Sequence, residues 1–292
     1  MNKRKTFIIG SIIGFIAIGF LTMFFFDVIA PSQYTVLFVG SDQRGTERAR
    51  SDVMFIVTIP KKADAEPFFL SIPRDTKVEH EEWGLQKMTH FYVLGDRPDD
   101  GKLLGNIDLT RTAVEDLLDI KIDATIEVTF ESFAEIVDVI GGASVSSRAS
   151  TGQKFDGVDT AALTSGALSG EEALVVIRDR FTGGRSDFDR QADAREILRS
   201  LITQVKDPAV IKEVLAYFKD SDQARLDFKQ TKLIRFLIGA GVSRKGKVSI
   251  GEMSEDTIPG QGGRIYTPDF GKELYYWIPD EEALQELVQE HF

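Results

Sequence analysis

The chain has 292 residues, a formal net charge of -11 and no cysteine, with 42% hydrophobic residues. The apolar share is ample for a packed core, and the acidic balance argues against a nucleic-acid binder, which shows a basic face. The absence of cysteine excludes thiol catalysis and disulfides, and three histidines, His80, His90 and His291, make a histidine-rich zinc site a poor expectation.

In chain order, Met1-Asn2-Lys3-Arg4-Lys5 is a basic head, and Phe7 to Phe26 follows almost without a polar side chain. At about 1.5 Å per residue such a run spans the roughly 30 Å hydrocarbon core of a bilayer. Residues 1–6 are therefore expected in the cytoplasm, residues 7–29 as a single transmembrane helix, and residues 34–292 as one extracytoplasmic domain. A cleaved signal peptide is the competing reading, but the run exceeds the usual apolar region and no small-x-small site follows closely. Pro31-Ser32-Gln33 is a short linker that keeps the domain near the membrane surface.

Tyr34 to Val39, Val53 to Ile59 and Phe68 to Ile72 read as buried strands. Thr110 to Leu118 reads as a helix, Ala124 to Phe130 as a strand, and Glu131 to Ile140 as a helix stopped by Gly141-Gly142. Ser169-Gly170-Glu171-Glu172 is a capping box that opens another helix. Gln191 to Val205 is helical and breaks near Asp207-Pro208. Val214 to Phe218 and Lys232 to Ile238 are further helical pieces, and Val248 to Gly251 and Glu273 to Ile278 late strands. Asp280 caps a final helix. Strands interleaved with helices predict a single α/β/α sandwich around a mixed β-sheet.

Chemistry-bearing residues gather at predicted strand ends, where open α/β sheets bind ligands. Asp42 follows the first strand, and Arg50-Ser51-Asp52 leads into the second. The two aspartates flank one loop and form an oxygen-donor pair that suits Mg²⁺, although an aspartate at a loop edge is more often a turn or cap residue. Arg74 and Asp75 follow Pro73 at the end of the third strand. Arg178 and Arg180 are two apart and share a side if that segment is extended, and Arg190 precedes the next helix. Arginine forks suit bidentate phosphate contact, whereas any one arginine taken alone is more often a surface salt bridge. Lys87-Met88-Thr89-His90 is a lesser signal; His90 lines the site or is a satisfied structural histidine. Most of the 21 phenylalanines belong to the core, and some are available to line an apolar groove for a lipid chain.

In order, VLFVGSDQR, RSDVMFIVTI, FFLSIPRDT, KMTHFYVLG, TAVEDLLDIKID, FESFAEIVDVIGG, LSGEEALVVIRDR and SDFDRQ resemble the LytR-CpsA-Psr family of bacterial cell-wall enzymes. The resemblance covers about Val36 to Leu201 well, and GGRIY and YYWIPDEEAL less specifically. It implies transfer of a glycopolymer from an undecaprenyl-pyrophosphate carrier onto peptidoglycan through a phosphodiester link, by a membrane-anchored enzyme. Carried over by position, Asp42 and Asp52 would bind Mg²⁺ or Mn²⁺, and Arg50, Arg74, Arg178, Arg180 and Arg190 would hold phosphate oxygens. Asp42, Asp52 and Asp75 are the candidate bases for the acceptor hydroxyl. A pyrophosphate hydrolase using water as acceptor, and a non-catalytic polyprenyl-phosphate binder, are the alternatives. The family usually carries an Arg-Gln pair three and four residues after the SDFxR arginine; here these positions are Asp193 and Ala194, with Gln191 and Arg195 in the same helical turns as the nearest substitutes.

Overall fold

The computed structural model describes residues 31–43, 50–62, 66–96, 102, 104–145, 154–155, 158–159, 163, 166–178, 187–204, 208–229, 232 and 253–292. The expected transmembrane segment, the strand at Val248 to Gly251, nearly all of the helix at Lys232 to Ile238, and Arg180 lie outside these residues. No helix among the described residues is long and apolar enough to cross a membrane.

The first three strands form as their apolar runs predict: β1 (Gln33–Ser41), β2 (Ser51–Pro60) and β3 (Phe68–Ser71). A hairpin of β4 (Lys77–His80) and β5 (Gly84–Lys87) follows, then helix α1 (Ile107–Leu118). α1 starts three residues earlier than its apolar spacing suggests, because the Asn106 side chain accepts from Leu109 N and caps it. Next come β6 (Ala124–Thr129), α2 (Phe130–Ile140), and the short strands β7 (Ala143–Val145), β8 (Lys154–Phe155), β9 (Val158–Asp159) and β10 (Gly166–Leu168). Gly141 ends α2 in the left-handed region at φ 103°, as the Gly-Gly pair predicts. Helices α3 (Gly170–Arg178), α4 (Asp187–Gln204) and α5 (Pro208–Asp220) lead to β11 (Ala224–Phe228). The chain closes with β12 (Ser254–Thr257), the hairpin β13 (Gly260–Thr267) and β14 (Lys272–Pro279), and α6 (Glu281–His291).

The central sheet has six strands in the order β11-β6-β1-β2-β3-β12. β1–β6 and β3–β12 pair in parallel, while β1–β2, β2–β3 and β6–β11 pair antiparallel. The sheet is therefore mixed, as the interleaved pattern predicts. Two antiparallel steps separate β1 from β3, so β1, β3, β6 and β12 all point one way. Their C-terminal ends share one edge with the start of β2.

The pleat sorts the apolar side chains between two faces. Leu37, Val39, Met54, Ile56, Phe68 and Leu70 pack on one face with Ile107, Val114 and Leu118 of α1 and Leu284 and Leu287 of α6. Phe55, Val57 and Phe69 pack on the other with Val137 of α2, Val176 of α3, and Ala194, Ile197 and Leu201 of α4. Leu37, Ile56 and Leu70 are fully buried, and each contributes about 2 kcal/mol by leaving water. α5 covers the β11 end of the sheet through Phe218, which packs with Ile136 and Ala224.

Candidate functional site

The shared edge holds an interlocked set of charges. Asp42 N donates to the Arg50 carbonyl at 3.2 Å, and Arg50 N donates to Asp42 Oδ1 at 2.9 Å. These bonds clamp the ends of the connection from β1 to β2, so Asp42 acts as the turn residue that its loop-edge position suggests. Two residues beyond Arg50, Asp52 Oδ1 accepts from Arg74 Nη1 at 2.7 Å. Arg74 reaches it because Pro73 ends the third strand and Thr76, with both N and Oγ1 bonded to the Pro73 carbonyl, closes a tight turn.

That turn also aims Asp75. Its Oδ1 accepts from Lys87 Nζ at 2.6 Å, and its Oδ2 lies 3.8 Å from Arg74 Nε. The β4–β5 hairpin sets Lys87 opposite Lys77 and carries it back to the turn. Thr89 fastens this segment to the rest, with N donating to the Arg74 carbonyl at 3.0 Å and Oγ1 to the Ser51 carbonyl at 2.8 Å. His90 Nδ1 lies 2.7 Å from Gln86 Oε1. Burial, then the positive charges of Arg50 and Lys87, push the His90 imidazole down to about 4, against the opposing pull of Asp75. The imidazole is thus neutral at physiological pH, and the site's positive charge comes from Arg50, Arg74 and Lys87.

On the opposite sheet face, an apolar pocket of about 50 Å³ opens beneath the same strand ends. Phe38 and Gly40 of β1, Val53 of β2, Val128 of β6, Phe133 of α2 and Ala194 of α4 are among its lining. Gly40 is two residues from Asp42, and Val53 adjoins Asp52. The charge cluster and the pocket therefore flank one stretch of sheet edge. The Arg178 guanidinium lies 5.3 Å from the ring centre of Phe130, another lining residue.

The sequence-predicted residues divide accordingly. Arg74 is ion-paired to Asp52 and Asp75, and Asp42 is bonded to the Arg50 backbone. Arg178 closes α3, because the capped helix runs through it, and Arg180, its partner in the shared-side reading, lies outside the described residues. Arg190 lies in the first turn of α4, whose side chain there is outside the described residues. Gln191 is buried at 7% exposure. Ala194 lies in the apolar pocket, so the departure from the family's Arg-Gln pair falls in part on the pocket wall. Arg195 donates through Nη1 to Ser71 Oγ at 2.8 Å and Thr257 Oγ1 at 3.3 Å, at the ends of β3 and β12. Lys87 and Ser71 join the site with no role expected from the sequence. Lys87 had a usable signal in KMTHFY, but its pairing with Asp75 depends on the β4–β5 hairpin.

The arrangement is that of a mixed-sheet α/β protein with an arginine-, lysine- and aspartate-lined sheet edge and an apolar pocket among the same strands. Solved structures share the fold. Lin1025 from Listeria innocua matches with a TM-score of 0.65 at 25% identity, over 89% of this chain and 97% of that one. TagV of B. subtilis matches with the same TM-score, identity and coverage. A structure of TagT bound to LIIa-WTA matches with a TM-score of 0.63 at 24% identity, over 89% of each chain. Residues 26–292 match the LytR_cpsA_psr family, and the chain belongs to it. Relatives include TagU of Bacillus licheniformis, a polyisoprenyl-teichoic acid–peptidoglycan teichoic acid transferase, 27% identical over 269 residues, which cover 90% of this chain and 78% of that protein. A Bacillus cereus protein of the same name is 30% identical over 258 residues, 87% of this chain and 76% of its own length.

Proposed function

We propose that this chain is an enzyme that moves a glycopolymer from an undecaprenyl-pyrophosphate carrier onto peptidoglycan, leaving a phosphodiester link. The observation that carries the reading is the Asp52–Arg74–Asp75–Lys87 cluster at the sheet edge, with Val53, next to Asp52 in sequence, among the lining of the apolar pocket. A polyprenyl pyrophosphate has the matching two halves. Family membership and the names of the relatives support the same chemistry.

In this reaction an acceptor hydroxyl attacks the phosphorus nearest the glycan. The bond from that phosphorus to the bridging oxygen breaks, polyprenyl phosphate leaves, and the hydroxyl proton passes to a base. Such a step needs positioning and charge stabilisation above all. Arg74 and Lys87 supply fixed positive charge, and Arg50 adds to it from across the β1–β2 connection. Arg178, Arg180, Arg190 and Gln191 are the further phosphate-binding residues of this proposal. Asp42, Asp52 and Asp75 are the candidates for the base: Asp52 and Asp75 both engage Arg74, Asp75 also engages Lys87, and Asp42 accepts from Arg50 N. An incoming pyrophosphate would exchange these internal ion pairs for phosphate oxygens.

Among the described residues no group of three acidic or histidine side chains converges on one point. Asp42 and Asp52 are the two oxygen donors of this proposal; they would hold an ion that completes its shell with water and phosphate oxygens, as Mg²⁺ does, and Mn²⁺ is the second choice. When bound, that ion supplies positive charge against the pyrophosphate. The proposal keeps the chain anchored by residues 7–29, with residues 34–292 outside the cytoplasm. Incubation of the full chain with a polyprenyl-pyrophosphate-linked glycan, Mg²⁺ and peptidoglycan, read by mass spectrometry, tests it. A phosphodiester-linked adduct is expected; polyprenyl phosphate released at the same rate without peptidoglycan, and no adduct with it, would make the protein a hydrolase instead.

A further inference from the structure

We propose that the outer face of the β13–β14 ribbon is a stacking platform for the acceptor glycan strand, an inference that rests on the transferase reading above. The ribbon pairs Arg264 with Tyr275 and Tyr266 with Glu273. In an antiparallel ribbon paired residues share a face, and residues two apart do as well. Arg264, Tyr266, Glu273 and Tyr275 therefore lie on one side. Tyr266 is 60% exposed and Tyr275 43% exposed, while Thr267 and Tyr276 on the other side are buried.

The two tyrosines are diagonal neighbours, with Cα atoms about 7–8 Å apart by ribbon geometry. Gly262 clears room for one of them: a Cβ there would stand 2.6 Å from Tyr275 Oη and 2.9 Å from a ring carbon. The Tyr275 ring thus lies across the glycine and presents its other face outward. A two-stranded ribbon alone is marginally stable, yet this one is firmly keyed to the body. Tyr276 Oη and Thr267 Oγ1 are 2.9 Å apart, and Trp277 donates from Nε1 to the Ile258 carbonyl at 2.9 Å.

The ribbon is also continuous with the reaction site. Trp277 N donates to the Asp75 carbonyl at 2.9 Å, and Lys87 Nζ lies 5.6 Å from the centre of the Tyr276 ring. Phe270, 49% exposed at the ribbon's turn, is 5.8 Å from the His90 ring. Lys87 meets Tyr276 on the ribbon's inner side, so the outer face joins the cluster along the β14 edge at Asp75 and at the Phe270 turn, where an acceptor strand would cross. Sugar rings offer C–H faces for aromatic stacking and hydroxyls for the phenol groups. The face carries one positive charge, Arg264, and one negative charge, Glu273, so it offers no excess attraction to a polyanionic donor polymer. A glycan strand held through the C–H faces of its sugar rings needs none.

The test titrates the full chain in detergent with a phosphate-free, uncrosslinked oligosaccharide of alternating N-acetylglucosamine and N-acetylmuramic acid. Kd is expected to rise by roughly tenfold in the Tyr266→Ala, Tyr275→Ala double variant and to stay within about threefold in the corresponding Phe variants. Acceptor KM is expected to rise in parallel, with the affinity for the lipid-linked donor unchanged. No binding by the unaltered protein, or equal binding by the double Ala variant, overturns the platform. Tyrosine-dependent binding without transfer would leave the platform standing and reject the transferase reading; transfer with an unchanged acceptor KM in the double variant would do the reverse.

Discussion

Arg74 is the residue on which the charge cluster turns. It bonds Asp52, whose side chain is only 9% exposed, and lies beside Asp75. Removing it leaves a mostly buried carboxylate without its arginine partner, which costs about 1–3 kcal/mol of stability, and takes away a charge aimed at the phosphates. Arg74→Ala is expected to lower the thermal midpoint and to reduce transfer by at least about 100-fold. Arg74→Lys keeps the charge but not the planar fork, so it should recover stability better than activity. His90 gives a pH prediction of definite sign. Its folded value near 4 lies below the ordinary 6.5, so the unfolded chain binds the proton first. Its contribution to stability is complete above pH 6.5 and is lost as pH falls toward 4. Denaturant titrations across that window should show a shallower acid decline in His90→Gln than in the unaltered protein.

At the scale of elements, α2, α3 and α4 form the apolar side of the site. Ala194 of α4 lines the pocket, and its substitution by leucine adds bulk where the lipid chain is proposed to lie. Ala194→Leu is expected to weaken binding of a long-chain polyprenyl pyrophosphate by roughly tenfold while sparing a short-chain analogue with the same head. Equal loss for both would place the chain elsewhere. The α2–α3 packing depends on Gly170, where a Cβ would stand 2.0 Å from the Ala134 carbonyl oxygen. Gly170→Ala should destabilise by about 1–3 kcal/mol in thermal melts, because backbone is the obstacle and the helices must separate.

The elements differ in how far the sequence reveals them. β1, β2 and β3 are apolar runs, and α3 and α6 carry their caps in local residues: Ser169 and Glu172 bond reciprocally, and Asp280 accepts from Ala283 N. Such signals need no knowledge of distant partners. β11 carries a short one, Ala224, Leu226 and Phe228 alternating with Arg225 and Asp227, whereas β12 has none. Arg225 in β11 is buried against Glu127, which is 98 residues away, and Ser254–Thr257 in β12 contains no apolar residue. The strand character of β12 comes from its neighbour β3 in the sheet. The site divides the same way: Arg74 and Asp75 stand out beside Pro73, whereas the roles of Lys87 and Arg195 depend on a hairpin and on the ends of β3 and β12.

At the scale of the whole molecule, the account joins an apolar pocket, a charged sheet edge and an aromatic ribbon into one path for lipid, pyrophosphate and acceptor. The proposed anchor at residues 7–29 would hold that path against the membrane where the carrier resides. In the proposed reaction the phosphate nearest the glycan is carried to the acceptor. The direct measurement places a radioactive label on that phosphate of a polyprenyl-pyrophosphate-linked glycan and follows it in the presence of peptidoglycan and Mg²⁺. The account predicts label bound to peptidoglycan in a phosphodiester, lost on chelation of the metal and in Asp52→Ala and Arg74→Ala. Label recovered as a glycan phosphate monoester, with none on peptidoglycan, would contradict it.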